Sequence, residues 1–181
     1  METNFPPKPH IPKNPKAFVL GCDPTAFDKN GNRLEFKTVF DIGKDNRYFA
    51  GILANLSGLD LGRDDVYIQN LVTEYLDKET SKNKKVWKQK ARESIAERKA
   101  EFDRADPGSK WPVFLTSWFL YDVLLNDDLP RNSPKELYES AVIIPPSQNK
   151  LGRPLISLFR HPNYKYQKWE GYTEKVRGFL K

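Results

Sequence analysis

The chain has 181 residues, 38% of them hydrophobic and 13% aromatic, and a net charge of +6. That suits one domain with a packed core and excludes wholesale disorder. No apolar run reaches the ~18 residues of a transmembrane helix, and no apolar signal-peptide core opens the chain. One cysteine and two histidines leave no disulfide framework, no four-thiolate cluster and no His-rich zinc site. The expectation is a soluble, cytoplasmic, basic protein without metal or cofactor, with an anionic partner and no membrane engaged; a monomer is expected.

Five prolines (Pro6, Pro7, Pro9, Pro12 and Pro15) make residues 1–16 an extended arm, because proline fixes φ and donates no hydrogen bond. Residues 17–181 read as a single α/β domain. AFVLG at 17–21 is a short apolar run stopped by Gly-Cys-Asp-Pro, which reads as a buried strand. Residues 25–45 are polar and turn-rich, broken by Val39-Phe40. Tyr48, Phe49, Ile52, Leu53 and Leu56 carry helical spacing, predicting a helix over 46–56 that ends at Gly58. VYIQNLV at 66–72 is a second strand. Residues 87–102 form a charged helix. A third strand covers 113–116, and Ser117 caps a helix running to Leu125. Ser133 as N-cap with Pro134 at the first helical position starts a short helix ending at Glu139. Residues 141–144 and 155–159 are further strand candidates.

Strands apolar on both faces that alternate with helices predict a mainly parallel sheet with helices on both sides, a three-layer α/β/α arrangement. Chemistry in such folds lies outside the carboxyl ends of the strands. Gly21-Cys22-Asp23-Pro24-Thr25 follows the first strand and Asn70 lies near the end of the second. Ser117-Trp118 follows the third, and Arg160-His161-Pro162-Asn163-Tyr164 follows the last. Asp23 is a candidate general base or an anion facing a developing cation, with a turn role as the alternative. His161 is a candidate donor to a leaving group, or simply a loop histidine. Asn70 offers one acceptor and two donors for reading a base edge. Asparagine is depleted in strands, so its alternative, tying down a loop, is weaker. Phe40 is a candidate stacking ring or a core anchor. Cys22 reads as a small filler beside the pocket. Residues 78–99 hold nine Lys and Arg against three Glu, so Lys84, Lys85 and Lys88 are candidate phosphate contacts or part of a solvated face. No Walker or dinucleotide-binding glycine motif is present.

The ordered set of these motifs resembles the uracil-DNA glycosylase superfamily over residues 17–165. Gly21-Cys22-Asp23-Pro24-Thr25 is similar to its Gly-Gln-Asp-Pro-Tyr motif. Residues 38–43 and the helix after them resemble the segment bearing a stacking phenylalanine. Residues 65–72 resemble the strand with the base-reading asparagine, and His161-Pro162-Asn163 resembles the final His-Pro-Ser motif. The resemblance implies a four-stranded, mainly parallel sheet and hydrolysis of an N-glycosidic bond on a base flipped out of DNA, a step of base excision repair. It implies that Asp23 and His161 are catalytic and that Cys22, Phe40 and Asn70 bind the substrate. Thr25, Arg160, Asn163 and Tyr164 would meet DNA, with Tyr164 as a wedge. Thr25 stands where the best-known branch has the tyrosine that excludes thymine. The branches that carry iron–sulfur clusters need four cysteines and are excluded. Two other readings of the residues stay open: a non-catalytic nucleic-acid-binding protein of the same fold, and a hydrolase of small nucleosides.

Overall fold

A computed structural model describes residues 5–43 and 48–181. It contains a five-stranded mixed sheet in the order β2-β1-β3-β5-β4. The strands are β1 (Ala17–Gly21), β2 (Val66–Asn70), β3 (Val113–Leu115), β4 (Ile143–Ile144) and β5 (Leu155–Ser157). The first three neighbour pairs are parallel and β4 runs antiparallel to β5. The four-strand count implied by the resemblance is therefore corrected. The four parallel strands are present, and two isoleucines after the 134–139 helix add a fifth at the open edge.

The helices are α1 (Ala50–Ser57), α2 (Lys84–Ala105), α3 (Trp118–Leu124), α4 (Pro134–Glu139) and α5 (Glu170–Leu180). From β1 the chain crosses to β2 on one side, then from β2 back past β1 to β3. Right-handed crossovers in opposite directions put α1 and α2 on opposite faces, consistent with three layers. In α2, Trp87, Ala91, Ile95, Arg98 and Phe102 are buried on one stripe at helical spacing. Phe102 stacks on Phe18 of β1, centroids 3.9 Å apart, and meets Tyr67 of β2 edge-on. Burying a phenylalanine contributes about 1.5–3 kcal/mol, so this cluster anchors α2 to the sheet.

Several expected boundaries move. Helix α1 starts at Ala50, with Tyr48 and Phe49 ahead of it; the expected start at 46 lies outside the described residues. Helix α2 extends past 87–102 at both ends, where Lys84, Lys85, Arg104 and Ala105 are good helix formers. Ser117 accepts from the Phe119 N–H, and Ser133 and Glu136 complete a capping box behind Pro134.

The 5–16 arm runs along the outer edge of β2. His10 exchanges two backbone hydrogen bonds with Ile68, and Lys8 exchanges two with Lys37 and Val39. The same short stretch therefore holds the edge of the strand bearing Asn70 and the turn leading to Phe40.

Candidate active site

A cavity of about 620 Å³ opens at the carboxyl ends of the parallel strands. It lies where the strand order reverses direction, between β1 and β3, the usual ligand crevice of such sheets. Cys22, Asp23, Phe40, Asn70 and His161 all line it, as do Thr25, Arg160 and Tyr164. The size is within the range of small-ligand sites.

Parallel register fixes the floor. Gly21 pairs with Asn70 at the ends of β1 and β2. A Cβ at Gly21 would collide with the Asn70 Oδ1 and lie 2.8 Å from Cζ of Phe40. Glycine is therefore required here by the close approach of both side chains. Phe40 has φ +58° and Asp41 φ +51°, left-handed values that an aromatic residue seldom adopts. Lys8 pairs with the strand-like residues before them, Asp41 donates to the Thr38 carbonyl, and the Thr38 hydroxyl donates to the Ile42 carbonyl. Backbone strain held by such surroundings is characteristic of ligand-contacting turns.

Asn70 is 3% exposed. Its backbone N–H donates to the Gln69 side-chain oxygen at 2.8 Å. Its carboxamide has no hydrogen-bond partner among the described residues, although it lines the cavity. Its atoms are not sealed in the core, so the carboxamide is open to a ligand edge in the cavity. Gln69 donates in turn to Glu101 at 3.2 Å, Tyr67 donates to the same carboxylate at 2.6 Å, and Arg98 pairs with its other oxygen. Helix α2 thus fixes the strand end behind Asn70.

Asp23 accepts from the Thr25 N–H at 2.9 Å through Oδ1 and from the Thr80 hydroxyl through Oδ2. Burial pushes its carboxyl up, and the Thr25 and Thr80 hydrogen bonds oppose that rise. An ionised carboxylate has about four acceptor positions, so two remain for water. Burial, with Asp23 alongside, pushes the Cys22 thiol up to about 12. A thiol held that high stays neutral near pH 7.

Three tyrosines hold the segment that carries His161. Tyr166 and Tyr172 donate to the Ser157 carbonyl at 2.6 and 2.9 Å, and the Phe159 N–H donates to the Tyr138 hydroxyl at 2.8 Å. The exposed His161 ring accepts the Asn163 N–H at Nδ1, 3.2 Å away. The neutral ring therefore carries its proton on Nε2, free to donate. Asn163 is exposed and outside the cavity lining, its carbonyl accepting from Trp169. Tyr164 lies among Tyr138, Phe159 and Trp169, with the Trp169 ring nearly parallel to it. The Arg160 guanidinium lies over both Phe40 and Tyr48, 5.5 and 5.8 Å from their centroids.

The basic stretch divides into exposed and ion-paired lysines. Lys84 lies 5.3 Å from the centroid of Phe119, a cavity residue, and Lys85 is exposed. Lys88 is paired with Asp122 at 2.5 Å and Lys90 with Glu74 at 2.9 Å. Arg98 is 1% exposed and serves the Glu101 network, so it does not belong to a surface track. Sequence reasoning missed Thr80, Glu79 and Tyr48 as cavity residues. Thr80 is 57 positions from the carboxylate it touches, and no local pattern marks it. Among the described residues no cluster of three or more His, Cys, Asp or Glu could hold a metal, and no helix is long and apolar enough to cross a membrane. No protein-family model matches the chain, and no curated protein matches it.

Proposed function

We propose that the chain is a DNA glycosylase with a uracil-DNA glycosylase-like fold, hydrolysing the N-glycosidic bond of uracil or a related damaged pyrimidine during base excision repair. The observation that carries this reading is the Asn70 carboxamide, unpartnered among the described residues and open to a cavity it shares with Phe40, Asp23 and His161. A flipped pyrimidine offers an adjacent carbonyl and N–H, which an acceptor and donor on one carboxamide satisfy together. Phe40 supplies a stacking face.

The chemistry follows from charge. As the bond between the base nitrogen and the sugar C1′ lengthens, its electron pair leaves with the base and C1′ becomes cationic. Asp23 faces that cation, holds a water and takes its proton as the hydroxyl adds to C1′. Nε2–H of His161 donates to the carbonyl oxygen on which the base's negative charge gathers. Solvent then protonates the departed base. Both groups act most strongly on charges that exist only near the transition state.

The test is an alkali-cleavage assay on single-stranded and duplex oligonucleotides carrying uracil, hypoxanthine or a thymine mismatch. Uracil strands are expected to be cut, and Asn70→Asp is expected to shift preference toward cytosine, whose amino group a carboxylate accepts. No cleavage of any strand, with tight salt-dependent binding retained, would establish the second reading, a nucleic-acid-binding protein without catalysis. The Thr80 hydroxyl on Asp23 is what favours that alternative.

A further inference from the structure

A second cavity of about 810 Å³ lies beside the first, between α1, α5 and the loop after β5. Phe159, Arg160 and His161 line both cavities, so the segment bearing the candidate leaving-group donor is their common wall. Asn55 of α1 faces this second space and is 5% exposed. Its Oδ1 accepts the Tyr166 N–H at 3.0 Å. Since a backbone N–H can only donate, the amide orientation is fixed and Nδ2 is left facing the cleft. Among the described residues Nδ2 has no partner. Nδ2 is not sealed from the cleft, so an acceptor on a ligand can reach it.

Charges of both signs surround it: Lys165 comes from the continuation of the shared wall, and Glu170, Glu174 and Arg177 come from α5, whereas the Arg160 guanidinium lies over Phe40 and Tyr48. A nucleotide matches this set: its phosphate suits the cations, and its base edge presents a carbonyl to Asn55 and an N–H to a carboxylate. We propose that this cleft is a subsite for the nucleotide next to the flipped one on the same strand, with Asn55 donating to an oxygen of that neighbour. The inference rests on the reading that the first cavity takes a flipped base.

The experiment is calorimetric titration with non-cleavable 2′-fluoro-2′-deoxyuridine monophosphate and with dinucleotides that extend it on the 5′ or the 3′ side. The wild-type protein is expected to bind one of the two dinucleotides about tenfold more tightly than the mononucleotide. Asn55→Asp keeps the acceptor for Tyr166 and replaces the cleft donors by a carboxylate; it is expected to abolish that gain and leave mononucleotide affinity unchanged. Lys165→Gln, at an exposed position, is expected to reduce the gain about threefold. A gain absent on both sides, or one that survives in Asn55→Asp, overturns the subsite. If oligonucleotides release no base but Asn55→Asp removes the gain, excision fails and the subsite stands. If bases are released and the gain persists in Asn55→Asp, excision stands and the subsite fails.

Discussion

At the amino ends of the strands, just ahead of β5, Arg153 is fully enclosed and donates four hydrogen bonds, to both the carboxylate and the carbonyl of Asp106, to Asp103 and to the Phe102 carbonyl. At the carboxyl ends Asn70 is almost as buried, and its carboxamide has no partner among the described residues. Both sites lie on the same sheet and touch the same helix: the C-terminal end of α2 supplies the carboxylates around Arg153, and the turn before α2 supplies Thr80 to Asp23. The bonds through the two Nη atoms of Arg153 tie its strand end to the end of α2, although its Nε is buried without a partner. The Asn70 carboxamide, whose atoms are not sealed off, is left open to whatever enters the cavity. The contrast separates residues that hold the domain together from residues available for recognition.

The largest expected effect breaks the closed end. Arg153→Met leaves Asp106 buried without its cation, and removing one partner of such a pair costs about 3–5 kcal/mol. The urea midpoint is expected to fall accordingly while turnover per folded molecule stays near normal. Asn70→Ala, by contrast, is expected to change the midpoint little or raise it, because no protein hydrogen bond is lost. Equal destabilisation by the two substitutions would erase the distinction.

His161→Ala tests the open end through rate. The ring is exposed and accepts a single local N–H, so stability is expected to move by less than about 0.5 kcal/mol. If Nε2–H meets charge that develops on the base, single-turnover cleavage falls about 10²–10³-fold with DNA affinity nearly unchanged. Normal cleavage with a lowered midpoint would return His161 to a loop role.

The open end, and not the closed one, was legible in the residues. Asp23, Asn70 and His161 stand out because each is polar at or just beyond a run that reads as a buried strand. The capping serines Ser117 and Ser133 also follow local rules. What was not legible depends on distance along the chain. Nothing near Phe40 announces its left-handed backbone, which is held by residues of the arm some 30 positions away. Thr80 and Asn55 gain their meaning only from Asp23 and Tyr166. The lysines of α2 look equivalent in sequence, and their acidic partners, Glu74 and Asp122, lie on other segments. The fifth strand is two residues long, too short to carry a period.

The two ends are expected to respond to pH with opposite sign. Burial pushes Asp106 up, but the Trp111 N–H and Arg153 outweigh it and hold its carboxyl below the usual range; Lys99 chiefly does the same for Asp103, opposed by burial and aided by Arg153. Their contribution to stability is present above the ordinary carboxylate pKa and is lost as pH falls through their lowered values. Asp23 is raised, chiefly by burial. Its contribution is present below the ordinary value and is lost as pH rises through the raised one. Asp23→Asn is therefore expected to stabilise the protein at neutral pH, with the gain vanishing in acid. Urea midpoints across pH for Asp23→Asn and the wild type check the sign; a gain that grows in acid would contradict it. Cleavage that needs ionised Asp23 is expected to decline in acid at a pH above that of an ordinary aspartate.

The smallest effect sharpens the comparison within α2 itself. Lys85 is exposed near the start of the helix, and no ion pair is formed by it among the described residues. Lys88, one turn on, is already neutralised by Asp122 at 2.5 Å. If the start of α2 runs beside a phosphate backbone, Lys85 releases a counterion on binding and Lys88 does not. Each phosphate contact contributes about 0.7–0.9 to the slope of log affinity against log salt. Lys85→Gln is then expected to make that slope shallower by about that amount and to weaken binding equally across sequences, since phosphate contacts position without reading bases. Lys88→Gln is expected to leave the slope alone and to cost at most about 1 kcal/mol of stability, the ordinary worth of a partly exposed pair. Affinity titrations at several salt concentrations, run beside urea melts of both variants, separate the two lysines. Equal slopes for Lys85→Gln and the wild type would assign the whole stretch to solvated surface and leave the cavity rim as the only candidate contact with DNA.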